Sequence, residues 1–328
     1  MSEMRWNPVM GEWVVTATHR QDRTFLPPAG YCPLCPTQDG GFPTEVPQPE
    51  YDFVVFENKF PSLRRDPYDP AIDGSDFYPV KPSQGTCEVV LYSSNHTGTL
   101  ADMPEEKLAQ LVEVWKDRYI DLGSRPDIDY VFIFENKGEA IGVTIHHPHG
   151  QIYAFSFIPP RVGREIENEQ RHHKEKGTCL HCDVIANELK DARRIVAEND
   201  AFVAFIPFYA RYPYEIHLYA RKHLPSMAEF SDSDVDALAS LLHTVLKKYD
   251  NLWGFSMPYM MVMHQSPTDG KEHPGAHFHI EFYPPMRTAE KMKYLAGCES
   301  GAGTFVNDTL PEEKAAEMRK AAPVTEKA

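Results

Sequence analysis

Thr144-Ile145-His146-His147-Pro148-His149-Gly150-Gln151-Ile152-Tyr153-Ala154 is the stretch from which the fold and the chemistry are read. In an extended strand successive side chains alternate faces, so His147, His149 and Gln151 point one way and Pro148 and Gly150 the other. Pro148 lacks an N–H and Gly150 lacks a side chain, which suits a strand end approached closely by another backbone or a ligand. Two imidazoles and an amide on one surface suit chemistry on a phosphate. A neutral histidine is a nucleophile near pH 7, and the amide can donate to a phosphoryl oxygen. The plainer alternative is a histidine-rich metal or surface loop.

The chain around this stretch has 328 residues, 42% hydrophobic and 25% charged, with a net charge of −15. That length carries two ordinary domains or one duplicated one. The acidic balance argues against a nucleic-acid partner, because a polyanion is repelled over most of the surface. No apolar run reaches membrane-spanning length, and Met1–Trp6 lack the apolar core of a secretory signal, so a cytoplasmic protein with no membrane partner is expected. Cys32/Cys35 and Cys179/Cys182 form two Cys-x-x-Cys pairs, with Cys87 and Cys298 apart from them. In a cytoplasmic chain such pairs read as metal or redox sites, and neither is expected to follow a strand and open a helix as a thioredoxin-like motif does.

The body of the sequence repeats itself. In the first half a cysteine pair precedes a strand at 87–92 and His96. Asp102 and Glu105 then read as the cap of a helix whose Leu108, Leu111, Val112, Trp115 and Tyr119 share a face. A strand at 130–134 and the histidine motif follow. In the second half the pair at Cys179/Cys182 precedes a strand at 215–220 and His223. A helix capped at Ser231–Asp234, a strand at 258–264 and Ala276-His277-Phe278-His279-Ile280-Glu281-Phe282 complete it. The interval from His96 to His147 nearly equals that from His223 to His277. An internal duplication results, with halves 1–160 and 161–328 joined by the charged segment 161–176. Antiparallel strands with one main helix per unit predict an α+β fold with the helices packed to one side.

The string His147-Pro148-His149-Gly150-Gln151, in this duplicated frame, resembles the active-site motif of galactose-1-phosphate uridylyltransferases, the transferase branch of the histidine-triad superfamily. The resemblance runs from about Asn7 to Phe305. It implies a duplicated histidine-triad-like unit whose antiparallel sheet forms a half-barrel. It also implies ping-pong transfer between UDP-glucose and galactose 1-phosphate, giving glucose 1-phosphate and UDP-galactose. His149 would carry the uridylyl group, and Gln151 would hold a phosphoryl oxygen. Related triad hydrolases place a histidine at the Gln151 position, so the amide favours transfer over hydrolysis. Substrate contacts are implied for Arg20, Arg23, Asn58, Asn136, Gly142, Val143, Thr144 and Gln151. Lys293, Tyr294 and Glu299 are implied to reach the sugar from a neighbouring subunit, hence a homodimer. Phe305 stands where one branch has a sugar-contacting glutamine.

The donor set Cys32, Cys35, His96 and His147 suits tetrahedral Zn²⁺ with no open position, as the family's zinc does. By repetition Cys179, Cys182, His223 and His277 form a second zinc set. A further family site for iron or zinc maps onto Glu165, His264, His279 and Glu281, the last replacing a histidine. Competing readings are an ADP-glucose phosphorylase-like enzyme using inorganic phosphate, a triad hydrolase, and a non-catalytic zinc-stabilised nucleotide-binding module. Residues 308–328 carry no functional signal.

Overall fold

The computed structural model describes residues 2–22, 27–28 and 30–321. The chain opens with a hairpin of β1 (Ser2–Asn7) and β2 (Glu12–Ala17). A long loop leads to β3 (Val54–Glu57), β4 (Val80–Pro82) and β5 (Gly85–Leu91). Helix α1 (Glu105–Gly123) is followed by β6 (Tyr130–Lys137) and β7 (His149–Phe155). Helices α2 (Pro160–Lys176) and α3 (Leu180–Asp191) precede β8 (Ile195–Glu198), β9 (Phe202–Phe205) and β10 (Ile216–Ala220). Helix α4 (Asp232–Trp253) leads to β11 (Tyr259–His264) and β12 (His279–Tyr283). The strands β13 (Met286–Thr288) and β14 (Lys291–Met292) and the helices α5 (Gly297–Ala302) and α6 (Pro311–Lys320) close the described chain.

Nine strands form one sheet in the order β3-β5-β7-β6-β11-β12-β10-β9-β8, with every neighbouring pair antiparallel. Read from β3 inward and from β9 inward, the order is the same, and β6 meets β11 in the middle. The strand carrying the histidine motif, β7, lies between β5 and β6. Its counterpart β12 lies between β10 and β11. The fold is α+β, as the sequence pattern predicts.

One face of this sheet is the core. Leu108, Leu111, Val112, Trp115 and Tyr119 of α1 and Val235, Leu238, Leu242, Val245 and Tyr249 of α4 are buried in a single cluster with Val131, Ile133, Ile152, Leu218 and Ile280 from the strands. Each such aliphatic side chain taken from water contributes about 1.5–3 kcal/mol, and this fixes which sheet face is covered. Two satellite clusters seat the cysteine-bearing segments. Leu34 and Val46 pack on Val89 and Leu91 of β5. Ile185 of α3 packs on Val203, Phe205 and Tyr219.

Three local readings are corrected. Asp102 does not cap α1; it accepts from the Thr99 N–H at 2.9 Å and closes the preceding 3-10 turn. Pro104 holds Met103 extended, so that turn cannot run on into the helix. Segment 161–176 is helix α2 rather than a plain connector. The second cysteine pair does open a helix, since Cys179 precedes α3 and Cys182 lies in its first turn, although no strand leads into it. The Ser231 cap is observed, its hydroxyl accepting from the Asp234 N–H.

Candidate active site and metal centres

β7 is held in register with His149 opposite Leu91, and Gln151 opposite Val89 on one side and Phe134 on the other. His149 and Gln151 are half-buried, whereas Gly150 and Ile152 turn into the core. Nδ1 of His149 donates to the carbonyl of His147 at 2.7 Å, which makes Nε2 the unprotonated nitrogen of the neutral ring. Two cavities meet at this imidazole. One, of about 490 Å³, is bounded by Asn136, Lys137, Val143, His146 and Ser256. The other, of about 220 Å³, is bounded by Tyr31, Phe56, Asn58, Phe60 and Gln151. The cavities provide room for two parts of one ligand on either side of the nucleophile. Thr144 Oγ1 is buried with no hydrogen-bond partner among the described residues, a polar atom that a ligand could satisfy.

Asn58, Asn136, Val143, His149 and Gln151 are thus brought together. Gly142 and Thr144 sit in the same 138–146 loop as Val143, with Gly142 in the left-handed conformation at φ 84°. Arg20 donates to the Phe60 carbonyl, to Ser62 Oγ and to Tyr153 Oη on the His149 face of β7. Arg23 lies outside the described residues. Lys293, Tyr294 and Glu299 do not join the site: none lines either cavity beside His149. Lys293 Nζ instead pairs with Glu299 at 3.1 Å and with the Val306 carbonyl, and Tyr294 is 73% exposed. Phe305 sits beside Arg211, on the wall of a second-half cavity of about 640 Å³ that also holds His279 and Glu281.

Both cysteine–histidine sets are assembled, with donor atoms of each set within 4.8 Å of one another. In the first, Nδ1 of His96 and of His147 lies 3.3 and 3.5 Å from Cys35 Sγ. Nε2 of His147 is 2.8 Å from the Ser93 carbonyl and 3.0 Å from Tyr51 Oη. In the second, Nδ1 of His277 lies 3.8 and 3.6 Å from the sulfurs of Cys179 and Cys182, and its Nε2 donates to the Ala220 carbonyl at 2.7 Å. A histidine that spends one nitrogen on a carbonyl and aims the other at thiolates has the arrangement of a zinc ligand. Burial and the neighbouring thiol push Cys35 up to about 11 and Cys182 up to about 12. A divalent cation would reverse that and displace the thiol protons.

The third set is gathered only in part. Glu165, His264 and His279 cluster, with Glu165 2.7 Å from His264 Nδ1. Glu281 is drawn away: Arg161 is 2.5 Å from it, His217 3.3 Å and Arg211 3.5 Å, while His264 and His279 are at 3.5 and 3.9 Å. Burial opposes its ionisation, but His217, His264 and Arg161 outweigh that and hold it well below the usual range. Sequence reasoning missed Tyr51, which reaches His147 from a loop rich in prolines; no spacing announces it.

Residues 1–159 match the family described as galactose-1-phosphate uridyl transferase, N-terminal domain, and residues 165–327 match its C-terminal domain. A galactose-1-phosphate uridylyltransferase of Thermotoga maritima is 41% identical over 98% of this chain and 98% of that protein. One of Streptomyces lividans is 33% identical over 99% of this chain and 89% of its own length. A solved uridylyltransferase structure is 33% identical, covers 97% of this chain and 98% of its own, and superposes with a TM-score of 0.87. An Arabidopsis thaliana ADP-glucose phosphorylase with bound ADP-glucose, 24% identical over 98% and 99% of the two chains with a TM-score of 0.74, shares the fold.

Proposed function

The chain belongs to the galactose-1-phosphate uridylyltransferase family of nucleotidyltransferase enzymes, and from that premise we propose how its own residues carry the transfer from UDP-glucose to galactose 1-phosphate. Nε2 of His149 attacks the α-phosphorus. The bond from that phosphorus to the bridging oxygen breaks, and glucose 1-phosphate leaves with the electron pair. The charged ring of the uridylyl-histidine keeps its Nδ1 proton on the His147 carbonyl, the contact that holds it in the neutral state. Gln151 donates to a non-bridging oxygen as charge develops there. A phosphate oxygen of galactose 1-phosphate then attacks the same phosphorus, the P–N bond breaks, and neutral His149 returns. Because glucose 1-phosphate departs as an anion and His149 departs as a neutral imidazole, neither step needs a proton on the leaving group, and an amide at position 151 suffices.

The observation that carries this reading is the 2.7 Å bond from His149 Nδ1 to the His147 carbonyl at the meeting point of two cavities. Asn58, Asn136, Gly142, Val143, Thr144 and Arg20 would hold the uridine diphosphate, with Arg23 three residues beyond Arg20 in sequence. Cys32, Cys35, His96 and His147 would hold a structural Zn²⁺ that fixes the carbonyl on which His149 rests. Cys179, Cys182, His223 and His277 would hold a second. Glu165, His264 and His279 would offer iron or zinc a three-residue set, with Glu281 committed to Arg161. A two-half organisation at 1–160 and 161–328 is supported by the mirrored strand order. Lys293, Tyr294 and Glu299, standing away from the cavities of their own chain, would serve the site of a second copy in a homodimer. None of the described cysteines is disulfide-bonded, which supports a cytoplasmic setting; no described helix is long and apolar enough to cross a membrane.

The test is to mix the protein with UDP-glucose labelled in the α-phosphate, denature it in alkali and map the label. Base-stable, acid-labile label on His149 that galactose 1-phosphate discharges is the expected result. Label equally formed from ADP-glucose and discharged by inorganic phosphate would favour the phosphorylase instead. Exchange at full rate by His149→Ala would overturn the mechanism.

A further inference from the structure

Gly150 separates His149 from Gln151, and its Cα is met from the core side by a phenol. A Cβ built there would lie 2.1 Å from Tyr92 Oη. Tyr92, just beyond β5, donates to Glu135 Oε2 at 3.3 Å, and Tyr259 of β11 donates to Glu135 Oε1 at 3.4 Å. All three residues are buried. On β6, Phe134 pairs with Gln151, so Glu135 takes the opposite, core-facing side behind the histidine strand. Val131 and Ile133, which share that side, are apolar and fully buried. A carboxyl among them is costly to bury and adds nothing that an aliphatic residue would not give the core. Its neighbour Asn136 bounds the cavity beside His149, and Glu135 itself is among the residues that line it. The other charged groups at this point are Lys137, 5.1 Å from the Tyr259 ring, and Asp250 of α4, which pairs with Lys137 at 3.0 Å. Burial pushes the Glu135 carboxyl up to about 7 against Lys137 and the two hydroxyls.

We propose that Tyr92, Glu135 and Tyr259 are positioning residues for His149, a hydrogen-bonded bridge that ties β11 and the Asn136 strand to the back of Gly150 and sets the height of the nucleophile over the bound phosphate. The inference rests on the uridylyl transfer proposed above. Two phenols donate to both oxygens only when the carboxyl is ionised, so alignment is completed as Glu135 loses its proton. A misplacement of about 1 Å at a reacting atom costs roughly 10²-fold in rate with little change in binding.

The experiment compares wild type with Tyr92→Phe, Glu135→Gln and the double variant. It records kcat and KM for UDP-glucose from pH 6 to 9, along with metal content and the folded fraction. We expect each single variant to lose about 10–100-fold in kcat with KM for UDP-glucose within about threefold. The double variant should be no worse than the weaker single, since both cut the same bridge. The wild-type limb of kcat near pH 7 should be absent from Glu135→Gln. Unchanged kcat and an unchanged limb in both singles would overturn the bridge, and so would kcat losses that only track the folded fraction. Should Glu135→Gln not fold, Tyr259→Phe, which removes a single oxygen at the far end, carries the same kcat-against-KM comparison. A wild-type enzyme that exchanges beside unaffected variants defeats the bridge alone, whereas a wild-type enzyme that does not exchange defeats both this inference and the proposed function.

Discussion

Residues 147–151 and 277–281 occupy matching places, each with its second histidine opening a strand that lies second from the centre of the sheet. In both, the second histidine donates from Nδ1 to the carbonyl two residues earlier, at 2.7 Å for His149 and 2.8 Å for His279. In both, the first histidine gives Nε2 to a backbone carbonyl and Nδ1 to a cysteine pair. The scaffold that prepares a neutral imidazole is therefore present twice. What differs is the two residues that follow. Gly150 and Gln151 leave His149 at the junction of two cavities. Ile280 is fully buried, and Glu281 is held by Arg161 and His217. The ring of His279 is sandwiched between Tyr219 at 4.5 Å and His264 at 4.8 Å. Both imidazoles border a cavity, so a prepared nitrogen with room beside it is not enough; the neutral amide two residues after His149 can face a phosphate, whereas the ionised carboxylate two residues after His279 repels one.

The sharpest way to break this comparison is chemical. His149→Ala should lower the exchange rate by about 10⁴-fold or more, because the covalent route is lost entirely. Peptide mapping after labelling should find uridylyl on His149 and none on His279. Label on both would mean that the second half is a working site and that Glu281 does not silence it.

Next in size are the metal sets. Cys35→Ser and Cys182→Ser should each lose one zinc by elemental analysis and on the order of 3 kcal/mol or more of stability by denaturant unfolding. They should differ in activity per folded molecule. The first set includes His147, whose carbonyl orients His149, so Cys35→Ser should lose kcat as well. Cys182→Ser should keep kcat within about tenfold, since its set orients only His279. Equal losses of kcat would show that the halves are coupled through the sheet.

Third come the residues that distinguish the strands. Ile280→Ala should cost about 2–5 kcal/mol of stability as a core cavity. Gly150→Ala should cost about 1–3 kcal/mol by overpacking against Tyr92 and should lose far more kcat than stability alone explains, because the strand must shift under His149. Both are read by urea titration alongside steady-state kinetics.

How much of this could be read from the chain alone follows a physical line. The spacing His147-x-His149-x-Gln151, the paired cysteines and the repetition of both are local patterns, and they anticipated the shared face of His149 and Gln151, both cysteine–histidine clusters and the α+β fold. The cap at Asp102 failed because a proline two residues on governs the backbone more strongly than a cap motif does. Glu281 looked like a metal ligand by position, but Arg161 and Arg211, distant in sequence, compete for it. Tyr51, Tyr92 and Tyr259 act through hydroxyls whose partners are set by sheet order, and no periodicity encodes that. Lys293 and Glu299 meet each other within the chain, a pairing that the motif around them does not announce.

The smallest expected effect concerns protons. Glu135 has a carboxyl near 7 in the folded protein against an ordinary value of 4.5. Between those two values the folded state binds the proton that the unfolded chain has released, so the stability it contributes is fully present below pH 4.5 and is lost as pH rises through 7. The full span is about 3 kcal/mol. Every other titrating group is common to wild type and Glu135→Gln, so the difference between their stability curves isolates this carboxyl. The glutamine can accept from one tyrosine only, which lowers its curve by about 1 kcal/mol at every pH. Relative to wild type it should then gain up to about 3 kcal/mol from pH 4.5 to pH 8 and stay level beyond, cross over between, and end the more stable of the two. Urea titrations at constant ionic strength measure both curves. Parallel curves would mean that the carboxyl ionises as freely inside the sheet as in water, and that the back of the histidine strand is wet where the front is meant to be dry.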